Sequence, residues 1–404
     1  MESIIAGFKP ANKSVRILPS AVGSFLIVFG TAILLPARAY ASSGEANAPS
    51  AAVDWRLEKT SGDIPSARGG GKLVSVGNLL VMYGGFKECF DKNKCEHEYC
   101  DDVYTLNLTT MKWEKKHPTS DSGKLPGKRV FFGGTSYKNR NAAAFFGGAE
   151  YDVKVTKVQM YNDLWLYDPA KDKMTEITYA NQGPDPRLGP EIVIKDDMLY
   201  LFGGYDKSFK AHNELWSFDF RSRMWQLLKK DDDPGTPSKR YIFRFELSDS
   251  GDDIFMFGGN YREKFTIQRN DLWRYNIRSN TFVAIVPEDK TNITGRTHGA
   301  AAIYGNVFVV ALGDIPSGGC YTEQASEHQN PTNEVWSVTV DKGSPAWTRV
   351  NIGFSPPPLK RLVYAKAGGR LYVTHGFDYK CDKPGSEGPV YNLKTYSLPL
   401  KEMR

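Results

Sequence analysis

Asn270-Asp271-Leu272-Trp273-Arg274-Tyr275, twelve residues after Gly258 of the doublet Gly258-Gly259, is the phrase that decides how this chain folds. The phrase returns along the sequence. Gly84-Gly85 precedes Asp101-Asp102-Val103-Tyr104, Gly147-Gly148 precedes Asn162-Asp163-Leu164-Trp165, and Gly203-Gly204 precedes Asn213-Glu214-Leu215-Trp216. Gly313 leads to Asn333-Glu334-Val335-Trp336, and a worn sixth copy pairs Gly376 with Tyr391-Asn392-Leu393. The second glycines stand 54 to 63 residues apart. Self-similarity at such a period means stacked supersecondary units.

Each unit has the same internal order. An arginine opens it, usually as Pro-x-x-Arg: Arg68, Arg129, Arg187, Arg240 and Arg361, with Arg296 lacking the proline. A short apolar strand follows, then a second such as Met198–Phe202 that runs into the glycines. Apolar runs of five bounded by glycine suit a strand buried on both faces. A variable loop leads to the Asp-Leu-Trp strand, and a last strand carries Trp113, Met174, Trp225, Phe282 or Trp347. Four short strands per unit without helical periodicity predict a radial all-β architecture. After the sixth copy too few residues remain for a fourth strand, whereas Trp55 precedes Arg68 by about the interval that separates Trp225 from Arg240 and Trp347 from Arg361. Residues 53–59 are therefore predicted to be the outer strand of the last unit, which closes the ring and removes an open edge.

These repeated Gly-Gly, Asn/Asp-Asp/Glu-Leu-Trp and closing Trp signals resemble the kelch family of β-propellers over nearly the whole of residues 53–404. The resemblance implies a six-bladed β-propeller with four antiparallel strands per blade and an arginine at the start of each innermost strand, near the central channel. It leaves activity open, because kelch propellers serve as interaction modules, adaptors and carbohydrate-active enzymes.

In such a blade the loop between the second and third strands shares a face with the connections between blades. Here those loops are the long ones: 86–100, 149–161, 205–212, 260–269, 314–332 and 377–389. Long loops on a rigid scaffold are where function usually resides. Aromatics stand at or beside their starts: Phe86, Tyr205, Tyr261 and Phe377. With Arg68, Arg129, Arg187, Arg240, Arg296 and Arg361 below them, the pattern predicts a funnel for an anionic ligand, since guanidinium grips carboxylate or phosphate bidentately. A structural reading stands beside it, in which a repeated arginine hydrogen-bonds the carbonyls of the inter-blade turns.

The expected function is a binding module for an anionic glycan, peptide or protein, working as a monomer without a cofactor. The alternative is an isomerase-like enzyme on small sugars or sugar acids, with Glu150, Asp206, Asp314 or Asp378 as base. No Gly-x-Ser-x-Gly, His-Glu-x-x-His or Walker pattern is present. Cys89, Cys95, Cys100, Cys320 and Cys381 all fall in loops of the same face, and in an exported chain they read as disulfides tying neighbouring blades. A zinc site from Cys89, Cys95, His97 and Cys100 is the sharper alternative, but its spacing is irregular; no metal site is assigned.

The N-terminus supports export. Lys9, Lys13 and Arg16 precede the uncharged run Ala21–Leu35, then Pro36 and Ala39-Tyr40-Ala41, the layout of a signal peptide over residues 1–41. Left uncleaved, the charge-free stretch between Arg16 and Arg38 is long enough to anchor in a membrane. Residues 42–52 read as a linker, and the mature chain is expected to be secreted, periplasmic or lumenal. Of the formal charge of +6, residues 1–41 contribute +3, leaving 48 basic and 45 acidic side chains beyond them. That balance is no nucleic-acid footprint.

Overall fold

The computed structural model describes residues 52–89, 95–262, 266–316, 329–380 and 388–403. The leader, most of the linker, Cys320 and Cys381 lie outside them. Among the described residues no helix is long and apolar enough to cross a membrane.

Six four-stranded antiparallel blades account for the chain, each with strands a to d from the channel outward. Blade 1 comprises Lys72–Val76, Leu79–Tyr83, Val103–Asn107 and Lys112–Lys116. Blade 2 comprises Gly133–Tyr137, Ala142–Phe146, Leu164–Asp168 and Lys173–Ile177. Blade 3 comprises Glu191–Lys195, Met198–Phe202, Leu215–Asp219 and Met224–Lys229. Blade 4 comprises Arg244–Leu247, Asp253–Phe257, Leu272–Asn276 and Thr281–Val286. Blade 5 comprises Ala300–Tyr304, Val307–Ala311, Val335–Thr339 and Thr348–Arg349. Blade 6 takes Val363–Ala367, Arg370–Thr374 and Thr395–Pro399 from the end of the chain. Its strand d is Arg56–Glu58 from the beginning, with Leu57 opposite Tyr396. The ring is closed by both ends, as the sequence predicts.

The chain then does something the sequence does not announce. Ser61–Gly62 pairs in parallel with strand d of blade 1, so one N-terminal segment joins blade 6 to blade 1. Each interface between blades is filled by one apolar cluster. Phe146, Leu201 and Phe218 lie between blades 2 and 3, for example, and Leu73, Leu80 and Trp113 between blades 6 and 1.

A belt of backbone hydrogen bonds repeats the closure. The N–H of the second glycine in each blade donates to a carbonyl of the next blade: Gly85 to Arg129, Gly148 to Arg187, Gly204 to Arg240, Gly259 to Arg296, Gly313 to Leu359 and Gly376 to Arg68, all at 2.9 to 3.0 Å. This second glycine is present in all six copies and has φ between +77° and +99°. At Gly259 a Cβ would stand 2.7 Å from that of Phe243. The first glycine needs less. Its counterparts Leu312 and His375 hold φ of +61° and +56°, within the left-handed region an L-residue can adopt at a cost.

Candidate functional site

Five of the six predicted arginines are enclosed by their own blades. Each reaches outward from the connector, over the end of strand b, to the acidic residue that precedes strand c. Arg68 pairs with Asp102, Arg129 with Asp163 at 2.7 Å, Arg187 with Glu214 at 3.1 Å, Arg240 with Asp271 at 2.7 Å and Arg296 with Glu334 at 3.2 Å. Four also donate to the carbonyl of the first glycine, as Arg240 does to Gly258 at 3.1 Å. The tryptophan two residues after the acid donates its indole N–H to the same carboxylate in blades 2 to 5. The recurrent phrase is thus an Arg–carboxylate–Trp unit. Burial opposes ionisation of Asp271, but the Arg240 guanidinium outweighs it and holds the carboxyl below its ordinary range. Arg296 is the least satisfied of the five: its Nη1 is buried without a partner, and burial pulls its pKa down to about 10.

Arg361 is not the sixth member. The other five arginines stand four residues before strand a, and in blade 6 that position is Leu359. The sixth phrase shifts with it: strand c begins at Thr395, so Lys394 stands where the acid stands elsewhere, rather than a residue of Tyr391-Asn392-Leu393. Blade 6 has lost both charges of the pair, which avoids leaving one of them buried alone.

Arg361 instead belongs to a plug at the head of the channel. Gly70, Phe131, Gly189, Ile242, His298 and Arg361 are its equivalents, one per blade, all with φ between +53° and +70°. Phe131 packs against His298 at 5.5 Å, and the Arg361 guanidinium lies over Phe86, Phe131 and Phe377 while pairing with Glu88. Above it sit the first residues of the six loops: Phe86, Ala149, Tyr205, Asn260, Asp314 and Phe377, all buried. Tyr261 lies one position further out and is half-buried, beneath Arg269. Asp314 faces Lys360 at 3.4 Å and His298 at 3.1 Å. Burial pushes its carboxyl up to about 6, against the pull of Lys360 and Arg361. Burial would also raise Glu88, yet Arg361 brings it down to about 2. The funnel expected from the sequence is therefore filled at its centre by aromatics and paired charges.

What this face exposes is a ring of hairpins. Five loops fold back as two-stranded ribbons, for example Ala149–Tyr151 with Val158–Met160. In blade 3 the loop is a tight turn. Asp206 N–H donates to the Lys210 carbonyl, Phe209 N–H to the Asp206 carbonyl, and the Asp206 carboxylate accepts from Ser208 and Lys210. Phe209, at φ +61°, is held 44% exposed at the tip. His212 locks the base, with Nδ1 2.8 Å from Asp231 and Nε2 3.2 Å from Asp206. Burial disfavours its charged form, but Asp231 keeps its pKa above the ordinary value. His212, Glu214 and Asp231 are close enough to share a metal, but Glu214 already accepts from Arg187 and Trp216. Among the described loop residues the exposed charges are mostly cationic: Lys87, Lys154, Lys157, Lys207 and Lys210 against Glu96 and Glu98.

Cys89 and Cys95 form a disulfide inside the first blade's loop. The described bond therefore ties one loop to itself, and the expected inter-blade bridges rest on residues outside the described set. It also disposes of the zinc alternative, because both sulfurs are consumed and His97 Nδ1 accepts from the Cys89 N–H at 3.0 Å. Cys100 is a free thiol. The four candidate bases are spread over four blades: Glu150 and Asp378 in hairpins of blades 2 and 6, Asp206 in the blade 3 turn, Asp314 in the plug.

Below the plug, on the side away from the hairpins, the channel holds a second set of polar groups. Lys72 reaches Glu191 at 2.6 Å, Arg244 stacks on Tyr364 at 5.2 Å, and the Tyr364 hydroxyl donates to Glu246 at 2.7 Å. Burial, only partly offset by that hydrogen bond, Lys366 and Arg244, pushes Glu246 up to about 7. The folded chain thus keeps a proton that the unfolded chain releases near the ordinary glutamate pKa, so this contribution to stability is lost as pH rises through 7. Glu246→Gln should therefore gain stability relative to the parent between pH 5 and pH 8, by on the order of 2 kcal/mol in denaturant titrations. A difference independent of pH would refute the assignment.

The KLHDC2/KLHL20/DRC7 Kelch-repeats domain family matches residues 20–259, and the chain belongs to the kelch-repeat β-propellers. Among curated proteins, Kelch domain-containing protein 3 of Rattus norvegicus is 24% identical over 208 residues, 51% of each chain. Host cell factor homolog hcf-1 of Caenorhabditis elegans is 26% identical over 220 residues, 51% of this chain and 27% of that protein. Acyl-CoA-binding domain-containing protein 5 of Arabidopsis thaliana is 22% identical over 249 residues, 62% of this chain and 34% of that protein. The chain spans about half or less of the length of these relatives. The solved structure of YjhT shares the fold, with a TM-score of 0.59 and 12% identity over 84% of this chain and 96% of that one.

Proposed function

We propose that this chain is an exported interaction module whose hairpin face binds an acidic segment of a protein. Kelch propellers are commonly protein-interaction modules. The observation that carries the reading is Phe209, held out at the tip of a turn between Lys207 and Lys210, with Lys154 and Lys157 exposed on the hairpin of the adjacent blade. An exposed aromatic on a rigid support is the kind of anchor around which interface energy concentrates. Surrounding lysines add attraction that steers an anionic partner and weakens with salt. The signal-peptide layout and the Cys89–Cys95 disulfide support an oxidising compartment.

The test is titration of the purified propeller with a panel of acidic peptides containing Phe or Tyr, beside a panel of uronate and sulfated glycans. At least one acidic peptide should bind, more weakly as salt rises. The Lys207→Glu, Phe209→Ala, Lys210→Glu triple variant should lose about tenfold or more in affinity at an unchanged melting temperature. Undiminished binding by the triple variant, or binding of glycans alone, would overturn the reading.

A further inference from the structure

We propose that the central channel, on the side opposite the hairpins, is a binding site for a small hydroxy-carboxylate held by Arg244. The channel contains a cavity of about 250 Å³, many times the roughly 15 Å³ in which a single water can sit. Phe131, His298 and Arg361 close its floor. Exposure rises along the innermost strands away from that floor, from buried Glu191 and Arg244 to exposed Lys138 and Asp249, so the mouth lies at the turns between strands a and b.

On the blade 2 side the wall is made by the small residues Gly134, Thr135 and Ser136. Lys72 crosses over Gly134 to reach Glu191, and a Cβ on Gly134 would stand 2.8 Å from the Lys72 Cγ. Tyr364 of blade 6 likewise passes blade 5 to reach Glu246 of blade 4.

Arg244 departs from the pattern of the other buried arginines. Five of those are each paired with a carboxylate at the edge of their own blade. Arg244 is 7% exposed, its Nη2 stands 4.0 Å from Glu191, and its Nε is buried without a hydrogen-bond partner among the described residues. A buried guanidinium without a close carboxylate is costly, and a ligand anion that completes its hydrogen bonds recovers that cost. The neighbours restrict the anion. Glu191 accepts hydroxyl protons but repels a doubly charged phosphate, and Thr135 and Ser136 line the blade 2 wall. Below about pH 7, where Glu246 holds its proton, the charges at depth are Lys72 and Arg244 against Glu191, an excess of one cation. A monoanion carrying hydroxyls, not a phosphate or a neutral sugar, satisfies all of these groups.

The experiment is calorimetric titration of the intact propeller with glucuronate, gluconate and lactate, with glucose and inorganic phosphate as comparison probes. At least one hydroxy-carboxylate should bind about tenfold or more tightly than either comparison probe. Arg244→Gln should abolish that preference. Ser136→Phe, which leaves Arg244 in place and fills the cavity from blade 2, should also abolish binding and serves where the first variant does not fold. The hairpin-face triple variant should bind the same probe undiminished, which separates this site from the protein-binding surface. The proposal is overturned if no hydroxy-carboxylate exceeds glucose and phosphate, or if a folded channel variant binds as the parent does.

Discussion

Asp271→Ala should destabilise the propeller by about 3–5 kcal/mol, the cost of leaving a buried charge without its partner. The Arg240 side chain is fully buried and Asp271 nearly so, with both guanidinium nitrogens donating to the carboxylate at 2.7 Å. Removing the carboxylate strands that cation and also takes the hydrogen-bond acceptor from the Trp273 indole. Removing both charges should be far milder, because the desolvation cost disappears with the attraction. Blade 6 displays that outcome within this chain, with Leu359 and Lys394 where the other blades hold Arg and acid. Arg240→Leu with Asp271→Asn, which removes both charges and keeps an acceptor for the Trp273 indole, should thus be more stable than Asp271→Ala alone. Urea denaturation of the parent, the single and the double variant measures this, and a double variant at or below the single one would contradict the pairing argument.

Trp55→Ala should cost a similar amount, about 3–5 kcal/mol for emptying a buried aromatic site. Trp55 is 2% exposed and belongs to the cluster between blades 5 and 6, with Val309, Leu371 and Leu398. Its indole N–H has no partner, so the loss is one of apolar packing. Its backbone N–H donates to the Phe354 carbonyl at 3.0 Å, and the strand that follows is strand d of blade 6. The substitution therefore weakens closure of the ring as well as one interface. Leu57→Ala, two residues on and 42% exposed, is the control and should change stability by less than about 0.5 kcal/mol. Equal melting curves for Trp55→Ala and the parent would mean that residues 53–59 do not close the propeller.

The fold was legible because its cause repeats. The second glycine recurs in all six blades and the arginine with its acid in five, all in phase, and the backbone belt from Gly85 to Gly376 explains why the second glycine has no substitute in any blade. The arginines were legible as a set, but their partner was not. The acid of the Asp-Leu-Trp phrase lies 27 to 38 residues downstream of its arginine, too far for local spacing to reveal the pair. Blade 6 misled because Pro358 and Arg361 reproduce the Pro-x-x-Arg tag, while the true equivalent is set by distance to the strand. Counting four residues back from Val363 finds Leu359. The channel groups left a fainter mark: Lys72, Glu191 and Arg244 each place a charge at the first position of a mainly apolar strand. Phe209 left none beyond an apolar residue between two lysines in a short loop.

The central claim is a division of labour, with the arginine–carboxylate units holding the blades and the hairpin face holding the partner. Parallel measurement of melting temperature and acidic-peptide affinity on two variants tests it most directly. Asp271→Ala should lower the melting temperature and leave the affinity of the folded protein intact, whereas the Lys207→Glu, Phe209→Ala, Lys210→Glu variant should do the reverse. Loss of affinity in folded Asp271→Ala, with the hairpin variant binding normally, would return the site to the arginine ring and contradict the account.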